Sequence, residues 1–325
     1  MKEFDKLTEK INNASNILLV SHIGPDGDTI GSTLAFYFLI KENFKDKNVH
    51  FVVQHRIPQV YEFLPEINKA ILTNFQVEIT QYDLAIAIDC ATSERMGYFE
   101  KIFFNAGSTA NVDHHITNPN FADINIVGNN LSSTGELLYN YAISQNLKIS
   151  EKTAIALYTA ILTDTGGFKY SNTTSSALYI GSKLIELGAK PHEIYEYCYE
   201  KKPMAMQNIT AYSVLNAKYL ANNKIAYIII DRNLMEQFGA LDEHLDGISE
   251  ALRETDCVDV AFVLKETVKG EAKFSFRSKT VDVAKICSQF GGGGHMLAAG
   301  CLLKKTLTEA LEMVLPKVIE QVEKC

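Results

Sequence analysis

Three short apolar runs in the first half of the chain each end at an aspartate or a histidine. The runs are Asn16–Ser21 before His22, Asp83–Ile88 before Asp89, and Ala110–Val112 before Asp113. Short continuous apolar runs are typical of strands that are buried on both faces. Helical patterns alternate with these strands, at Thr29–Lys41, Thr134–Ser144 and Glu151–Thr163. The alternation predicts an α/β fold with a doubly wound parallel sheet, and the polar residues should meet at the carboxyl ends of its strands.

The length of 325 residues predicts more than one hydrophobic core. A mainly helical stretch follows the first domain, and further strand patterns occur at Ile225–Ile230, Val258–Leu264 and Ala272–Arg277, before a last helix at Leu307–Val322. We therefore predict a metal-binding domain at 1–185, a helical connector at 186–215 and a smaller α/β domain at 216–325.

Charge and composition exclude several classes of protein. The net charge of −8 argues against a protein that coats long duplex DNA, which requires a basic face. No signal peptide is apparent at residues 1–20, and apolar runs such as Leu34–Ile40 are too short to span a bilayer, so we expect a cytoplasmic protein without a membrane partner. None of the six cysteines has a C-x-x-C spacing, which argues against a zinc ribbon.

The polar residues at the predicted strand and helix ends form a candidate metal site. Each motif has an ordinary alternative, such as Asp28 capping the following helix or Asp164 simply ending one. Together, however, they offer oxygen and nitrogen ligands without thiolates, which suits Mn²⁺ or Mg²⁺ better than structural zinc. They are also too many for one ion, so two ions are expected. The candidates are His22, Asp26, Asp28, Asp89, Asp113, His114, His115 and Asp164.

A second polar group lies near the end of the chain. The run Gly291–Gly294 precedes His295 and is expected between two helices, where backbone N–H groups and a following helix N-terminus would bind phosphate; a flexible linker is the alternative. An arginine in the preceding strand would add a bidentate contact. The predicted substrate-binding residues are Arg277, Ser278, Gly292, Gly293, Gly294 and His295. Arg95 and Ser132–Thr134 are further candidates for phosphate contacts. The alternatives are a surface charge for Arg95 and a helix cap for Ser132–Thr134.

Four motifs in order, SHIGPDGD, AIDCAT, VDHH and LTDTGGF, resemble those of the DHH phosphoesterase superfamily, and the glycine–histidine loop resembles its DHH-associated C-terminal domain. The resemblance implies one ion on His22, Asp26 and Asp89, and a second on Asp28, Asp89, His114 and Asp164. Asp89 would then bridge the two ions. Asp113 would orient the site and His115 would face the substrate, so the implied catalytic set is His115, Asp89 and Asp113.

The compact two-domain form resembles the branch that cleaves very short oligonucleotides and also removes the 3′-phosphate of pAp. It implies two divalent ions, Mn²⁺ in preference to Mg²⁺, that activate water for attack on phosphorus in a cleft between the domains. The implied partners are short single-stranded RNA or DNA, pAp and linear dinucleotides, with a homodimer left open. The alternatives are a linear or cyclic dinucleotide phosphodiesterase, a pyrophosphatase or exopolyphosphatase, and a non-catalytic nucleotide sensor.

Overall fold

The computed structural model describes residues 2–54, 56–72 and 81–324. They form two compact units, which divide between Lys201 and Lys202. The predicted connector at 186–215 spans this division, since its last helix, Met204–Leu215, lies in the second unit. None of the helices in these parts of the chain combines the length and the apolar character that crossing a membrane requires.

The first unit contains a six-stranded sheet in which every described pairing is parallel. Its strands are β1 (Asn16–Val20), β2 (Asn48–Val53), β3 (Ile71–Leu72), β4 (Leu84–Ile88), β5 (Thr109–Asp113) and β6 (Ile124–Val127). The spatial order is β3-β2-β1-β4-β5-β6, so the direction of winding reverses between β1 and β4. In such sheets ligands bind beyond the carboxyl ends of the strands at this reversal.

Helices cover both faces of this sheet, which confirms the predicted doubly wound fold. The helices of the first unit are α1 (Lys2–Asn13), α2 (Gly27–Asn43), α3 (Glu100–Phe104), α4 (Thr134–Ser144), α5 (Glu151–Asp164), α6 (Ser175–Glu186) and α7 (Pro191–Tyr195). Alternate residues of β4 enter different cores: Ile86 and Ile88 pack with the apolar residues of α2, α4 and α5, whereas Ala85 and Ala87 pack with Phe99 and its neighbours on the other face. Burial on both faces explains the unbroken apolar run of this strand.

The strand register places the polar residues at the carboxyl ends of the strands level with one another. Val20 of β1 pairs with Ala87 of β4, so His22 and Asp89 each lie two residues beyond a paired position. Ile88 pairs with Val112 of β5, which places Asp113 beside Asp89. The convergence predicted from the sequence therefore follows directly from the hydrogen-bonding register.

The second unit is a smaller α/β domain, as predicted, with a mixed six-stranded sheet. Its strands are β7 (Lys218–Leu220), β8 (Ile225–Ile230), β9 (Val260–Glu266), β10 (Ala272–Ser278), β11 (Gly293–His295) and β12 (Ala298–Leu303), in the order β11-β12-β10-β9-β8-β7. Only β8 and β9 run parallel among these described strands. Its helices are α8 (Met204–Leu215), α9 (Arg232–Gln237), α10 (Ile248–Arg253), α11 (Val283–Ser288) and α12 (Leu307–Glu323).

The predicted setting of the glycine run was wrong. A helix, α11, precedes it as expected, but Gly293–His295 forms the edge strand β11, and the strand β12 follows instead of a second helix. The glycines pair with Gly300 and Ala299 of β12. A helix N-terminus therefore does not follow this loop, and the dipole argument for anion binding there does not apply.

Candidate metal centre

The first group of candidate ligands surrounds the imidazole of His22 at the end of β1. Its Nε2 atom lies 3.8 Å from Oδ2 of Asp26 and 3.7 Å from Oδ2 of Asp89. His22 is buried, and the side chain of Asp26 is 61% exposed. His22 therefore forms the buried side of the group, and Asp26 forms the side that is open to solvent.

The second group surrounds the imidazole of His114, directly after β5. Its Nε2 atom lies 3.8 Å from Oδ2 of Asp28, 3.8 Å from Oδ1 of Asp89 and 3.7 Å from Oδ2 of Asp164. Asp89 thus directs Oδ2 towards His22 and Oδ1 towards His114. This division of its two oxygens is the arrangement required of a carboxylate shared by two ions.

The donor set fits divalent cations. The separations of 3.7–3.8 Å are too long for hydrogen bonds, yet three ligand atoms lie within 4.8 Å of one another in each of two groups, His22–Asp26–Asp89 and Asp28–His114–Asp164. Burial and the neighbouring carboxylates raise the pKa of Asp28 and of Asp89. Burial also raises the pKa of Asp164 to about 7, although the imidazole of His114 opposes this shift. Such crowding of negative charge is relieved when a cation binds.

Threonine hydroxyls orient Asp89, a role that the sequence analysis missed. The Oγ1 of Thr29 donates to Oδ2 at 2.6 Å, and the Oγ1 of Thr134 donates to Oδ1 at 2.9 Å. Asp89 also has a positive φ of 58°, which is uncommon outside glycine and occurs often at functional sites. Its backbone and both carboxylate oxygens are therefore held in one position.

The N-terminus of α4 holds a neighbouring candidate ligand, Asp28. Its oxygens accept hydrogen bonds from the backbone N–H groups of Thr134 (2.8 Å) and Gly135 (3.0 Å), and from the hydroxyl of Ser32 (2.9 Å). The helix dipole adds favourable charge at this position. Asp28 does not cap its own helix, which was the ordinary alternative, because Asp26 is the N-cap residue of α2.

Asp113 and His115 form a hydrogen-bonded pair next to Asp89. Asp113 accepts from Nδ1 of His115 at 2.8 Å and from Nδ2 of Asn118 at 2.5 Å. Burial opposes a charge on His115, but the bond to Asp113 and the nearby carboxylate of Asp89 outweigh it and raise the pKa of His115 to about 9. Asp89, His114 and His115 also lie close enough together to form a third possible ligand group.

The remaining candidates in the first unit contact the candidate ligands or cap a helix that does. The Nδ1 of His22 lies 2.9 Å from the carbonyl oxygen of Ile23 and 3.2 Å from a guanidinium nitrogen of Arg95. Binding a metal through Nε2 requires a proton on Nδ1, which is then donated to Ile23. Ser133 caps α4 through a hydrogen bond from the Glu136 amide, and thus the helix-cap alternative is the one that the structure supports.

Four of the six predicted substrate-binding residues line one pocket of the second unit: Arg277, Gly293, Gly294 and His295. The Nε atom of Arg277 donates to Glu250 at 2.6 Å. The structure does not bring Ser278 to this pocket, because its buried hydroxyl accepts from the amides of Thr280 and Val281 on the opposite face of β10. Gly292 also lies outside the lining, and its N–H donates to the carbonyl of Cys287.

Comparisons with known proteins agree with this organisation. The profile of the DHH family, N-terminal domain, matches residues 16–161, and that of the DHHA1 domain matches residues 222–324. A probable bifunctional oligoribonuclease and PAP phosphatase, NrnA, of Streptococcus mutans is 27% identical over 304 residues, which cover 92% of this chain and 93% of that protein. Its counterpart in Thermus thermophilus is 28% identical over 309 residues, covering 94% and 90%.

A solved structure shares the architecture of the whole chain. It is an exopolyphosphatase-related protein from Bacteroides fragilis, with a TM-score of 0.91 and 26% sequence identity, covering 98% of this chain and 96% of that one. The two profiles, the relatives and the convergent ligands all lead to one assignment. The chain is a hydrolase that contains a DHH-family N-terminal domain at 16–161 and a DHHA1 domain at 222–324.

Proposed function

We propose that this protein hydrolyses di- to pentanucleotides to 5′-mononucleotides and removes the 3′-phosphate of pAp. The observation that carries the proposal is the double ligand set that shares Asp89, in a chain that also has a DHHA1 domain. Relatives that match nearly the whole chain are named oligoribonuclease and PAP phosphatase, which favours this substrate class. The net charge of −8 supports a preference for short substrates, because a long backbone gains little from an acidic protein.

The proposed roles follow the two groups of ligands. His22, Asp26 and Asp89 would hold one ion, and Asp28, Asp89, His114 and Asp164 the other. When bound, divalent ions neutralise phosphate and lower the pKa of water. Mn²⁺ is the proposed ion and Mg²⁺ the alternative, because the donors are carboxylate oxygens and imidazole nitrogens.

The chain's own residues supply the remaining steps of the proposed reaction. The imidazole of His115, fixed by its 2.8 Å bond to Asp113, would hold a proton close to the charge that develops on the phosphoryl oxygens. Arg277 and His295 of the second unit would bind a substrate phosphate, because both side chains line a pocket and neither belongs to the metal groups.

The experiment that tests the proposal is product analysis with Mn²⁺ present. The substrates are pApA, a 24-residue RNA, pAp, a cyclic dinucleotide, pyrophosphate and polyphosphate, compared by kcat/KM at one salt concentration. We expect pApA and pAp to be the best substrates and chelator to abolish turnover. A higher kcat/KM for the 24-residue RNA would identify a longer-range exonuclease instead.

Polyphosphate hydrolysis is the second candidate, favoured by the likeness to the exopolyphosphatase-related protein. If pyrophosphate or polyphosphate has the highest kcat/KM in the same panel, this candidate replaces the nucleotide proposal. Binding of the nucleotides without turnover of any substrate would instead support the nucleotide-sensor alternative.

A further inference from the structure

The turn that follows Asp164 is covered by aromatic rings. Gly166 and Gly167 have positive φ angles of 59° and 74°. A Cβ atom built on Gly166 would lie 2.5 Å from the ring of Tyr170, and one built on Gly167 would lie 3.2 Å from the ring of Tyr195. The backbone conformation favours glycine at both positions, and a side chain at Gly166 would also displace the ring of Tyr170.

A π-helical segment, Glu196–Glu200, follows α7 and carries the tyrosine that supports Tyr195. The rings of Tyr195 and Tyr199 have centroids 4.8 Å apart and are inclined by 37°. The hydroxyl of Tyr199 donates to the carbonyl oxygen of Leu162 in α5 at 3.2 Å. Tyr199 is thus tied to the helix that ends at Asp164, and π-helical turns occur frequently at functional sites.

Two of these rings remain open to solvent. Tyr170 is 44% exposed and Tyr195 is 42% exposed, although both lie against the turn. The segment that carries Tyr170 also returns to the residue after a candidate metal ligand, Asp164, because the backbone N–H of Tyr170 donates to the carbonyl oxygen of Thr165 at 2.9 Å. The exposed faces of the two rings are available for stacking against a flat ligand near the candidate metal centre.

We propose that Tyr170 and Tyr195, the tyrosine platform, stack against a nucleobase of the substrate. The proposal rests on the proposed function, because it assumes a nucleotide at the metal centre. Both residues fall between the parts of the chain that the two family profiles match, 16–161 and 222–324. A base fits the platform because each base has a flat π-face, and stacking tolerates any base identity. A phosphate does not fit it, because the platform offers no charge.

The chain contains no tryptophan, which makes a direct binding test possible. Tyr195→Trp introduces a single indole that keeps an aromatic ring at the platform. Tyr219→Trp, at a tyrosine of the second unit that is 38% exposed, is the matched control. We expect adenosine 5′-monophosphate to quench the Tyr195→Trp fluorescence with saturation, ribose 5-phosphate to leave it unchanged, and neither to affect the control. Equal responses to the two probes would overturn the platform.

A kinetic test separates stacking from a structural role. Relative to wild type, Tyr195→Leu should raise KM for pAp on the order of tenfold or more, and Tyr195→Phe should leave it nearly unchanged. With abasic ribose 3,5-bisphosphate, which has no base, the Leu and Phe variants should be equal. Equal KM values of the Leu and Phe variants for pAp would contradict the proposal.

The platform and the proposed function fail in distinguishable ways. If the wild-type protein hydrolyses pAp but adenosine 5′-monophosphate does not quench the Tyr195→Trp fluorescence, the platform is wrong and the nucleotide activity stands. If no nucleotide is hydrolysed and adenosine 5′-monophosphate leaves the Tyr195→Trp fluorescence unchanged, both the platform and the proposed function are wrong. Saturable quenching that depends on the base supports the platform even where turnover is absent.

Discussion

Asp89 is the residue on which both candidate metal groups depend. Each of its oxygens accepts a threonine hydroxyl and also faces a different imidazole. An amide in its place would keep the size of the side chain but remove the negative charge and one oxygen. Both groups would be weakened at once, which no other single ligand substitution achieves.

We therefore expect Asp89→Asn to lower kcat by roughly three powers of ten and to reduce bound Mn²⁺. Asp46→Asn is the matched control, since Asp46 is exposed and has a positive φ that asparagine adopts readily. Steady-state kinetics and elemental analysis of the folded proteins measure the two effects. More than about a tenth of the wild-type kcat in Asp89→Asn would rule out the bridging role.

The hydroxyl of Thr134 tests whether the support of Asp89 matters for metal affinity. Thr134→Val keeps the shape but removes the donor to Oδ1, so the Kd for Mn²⁺ should rise about 10- to 100-fold. Thr33→Val is the control, because the buried Thr33 hydroxyl has no hydrogen-bond partner within the described parts of the chain. Calorimetric titration measures the Kd for Mn²⁺ of both variants. Equal Kd values for Thr134→Val and Thr33→Val would show that the Thr134 hydroxyl is dispensable.

At the scale of elements, α4 contributes its N-terminus to the candidate metal centre. Ser133 caps the helix, and the next two backbone N–H groups bind Asp28. The cap thus stabilises the helix whose N-terminus orients a candidate ligand. The helix α12 has a comparable cap at Thr306, completed by Glu309, but it lies in the second unit.

Ser133→Ala and Thr306→Ala should each lower the free energy of unfolding by about 1 kcal/mol, because each removes an N-cap hydroxyl. Only Ser133→Ala should also weaken Mn²⁺ binding, since only its helix contacts a candidate ligand. Denaturant unfolding and Mn²⁺ titration separate the two effects. If both variants lose Mn²⁺ affinity equally, the link between the α4 terminus and Asp28 is wrong.

At the scale of the whole molecule, two compact units separate the candidate ligands from the candidate phosphate contacts. All the predicted metal ligands belong to the first unit, whereas Arg277 and His295 belong to the second. Substitutions in the second unit should therefore change substrate binding without changing the metal content.

Arg277→Ala and His295→Ala should each raise KM for pAp on the order of tenfold, because a charged hydrogen bond to phosphate is lost. Bound Mn²⁺ should equal that of wild type. Lys269→Ala, at an exposed turn between β9 and β10, serves as the control. Loss of Mn²⁺ from either folded variant, measured by elemental analysis, would contradict the assignment of these residues to substrate binding.

The sequence by itself determined the parallel α/β fold and the meeting of His22, Asp89 and Asp113. Both follow from local pattern: apolar runs mark the strands, and parallel strands bring their ends to one edge. The glycine run lay beyond such reasoning, because residues without side chains show no alternating pattern, and only pairing with β12 makes Gly293–His295 a strand.

Only the tertiary structure decided what supports each candidate ligand. The bond from Thr134 to Asp28 joins residues 106 positions apart, and the bond from Thr29 to Asp89 joins residues 60 apart. Ser278 was misplaced for the same kind of reason: which face of β10 a side chain occupies depends on how the strand packs between two cores. Local residue patterns predict which elements form, but contacts between distant residues exist only once those elements have packed.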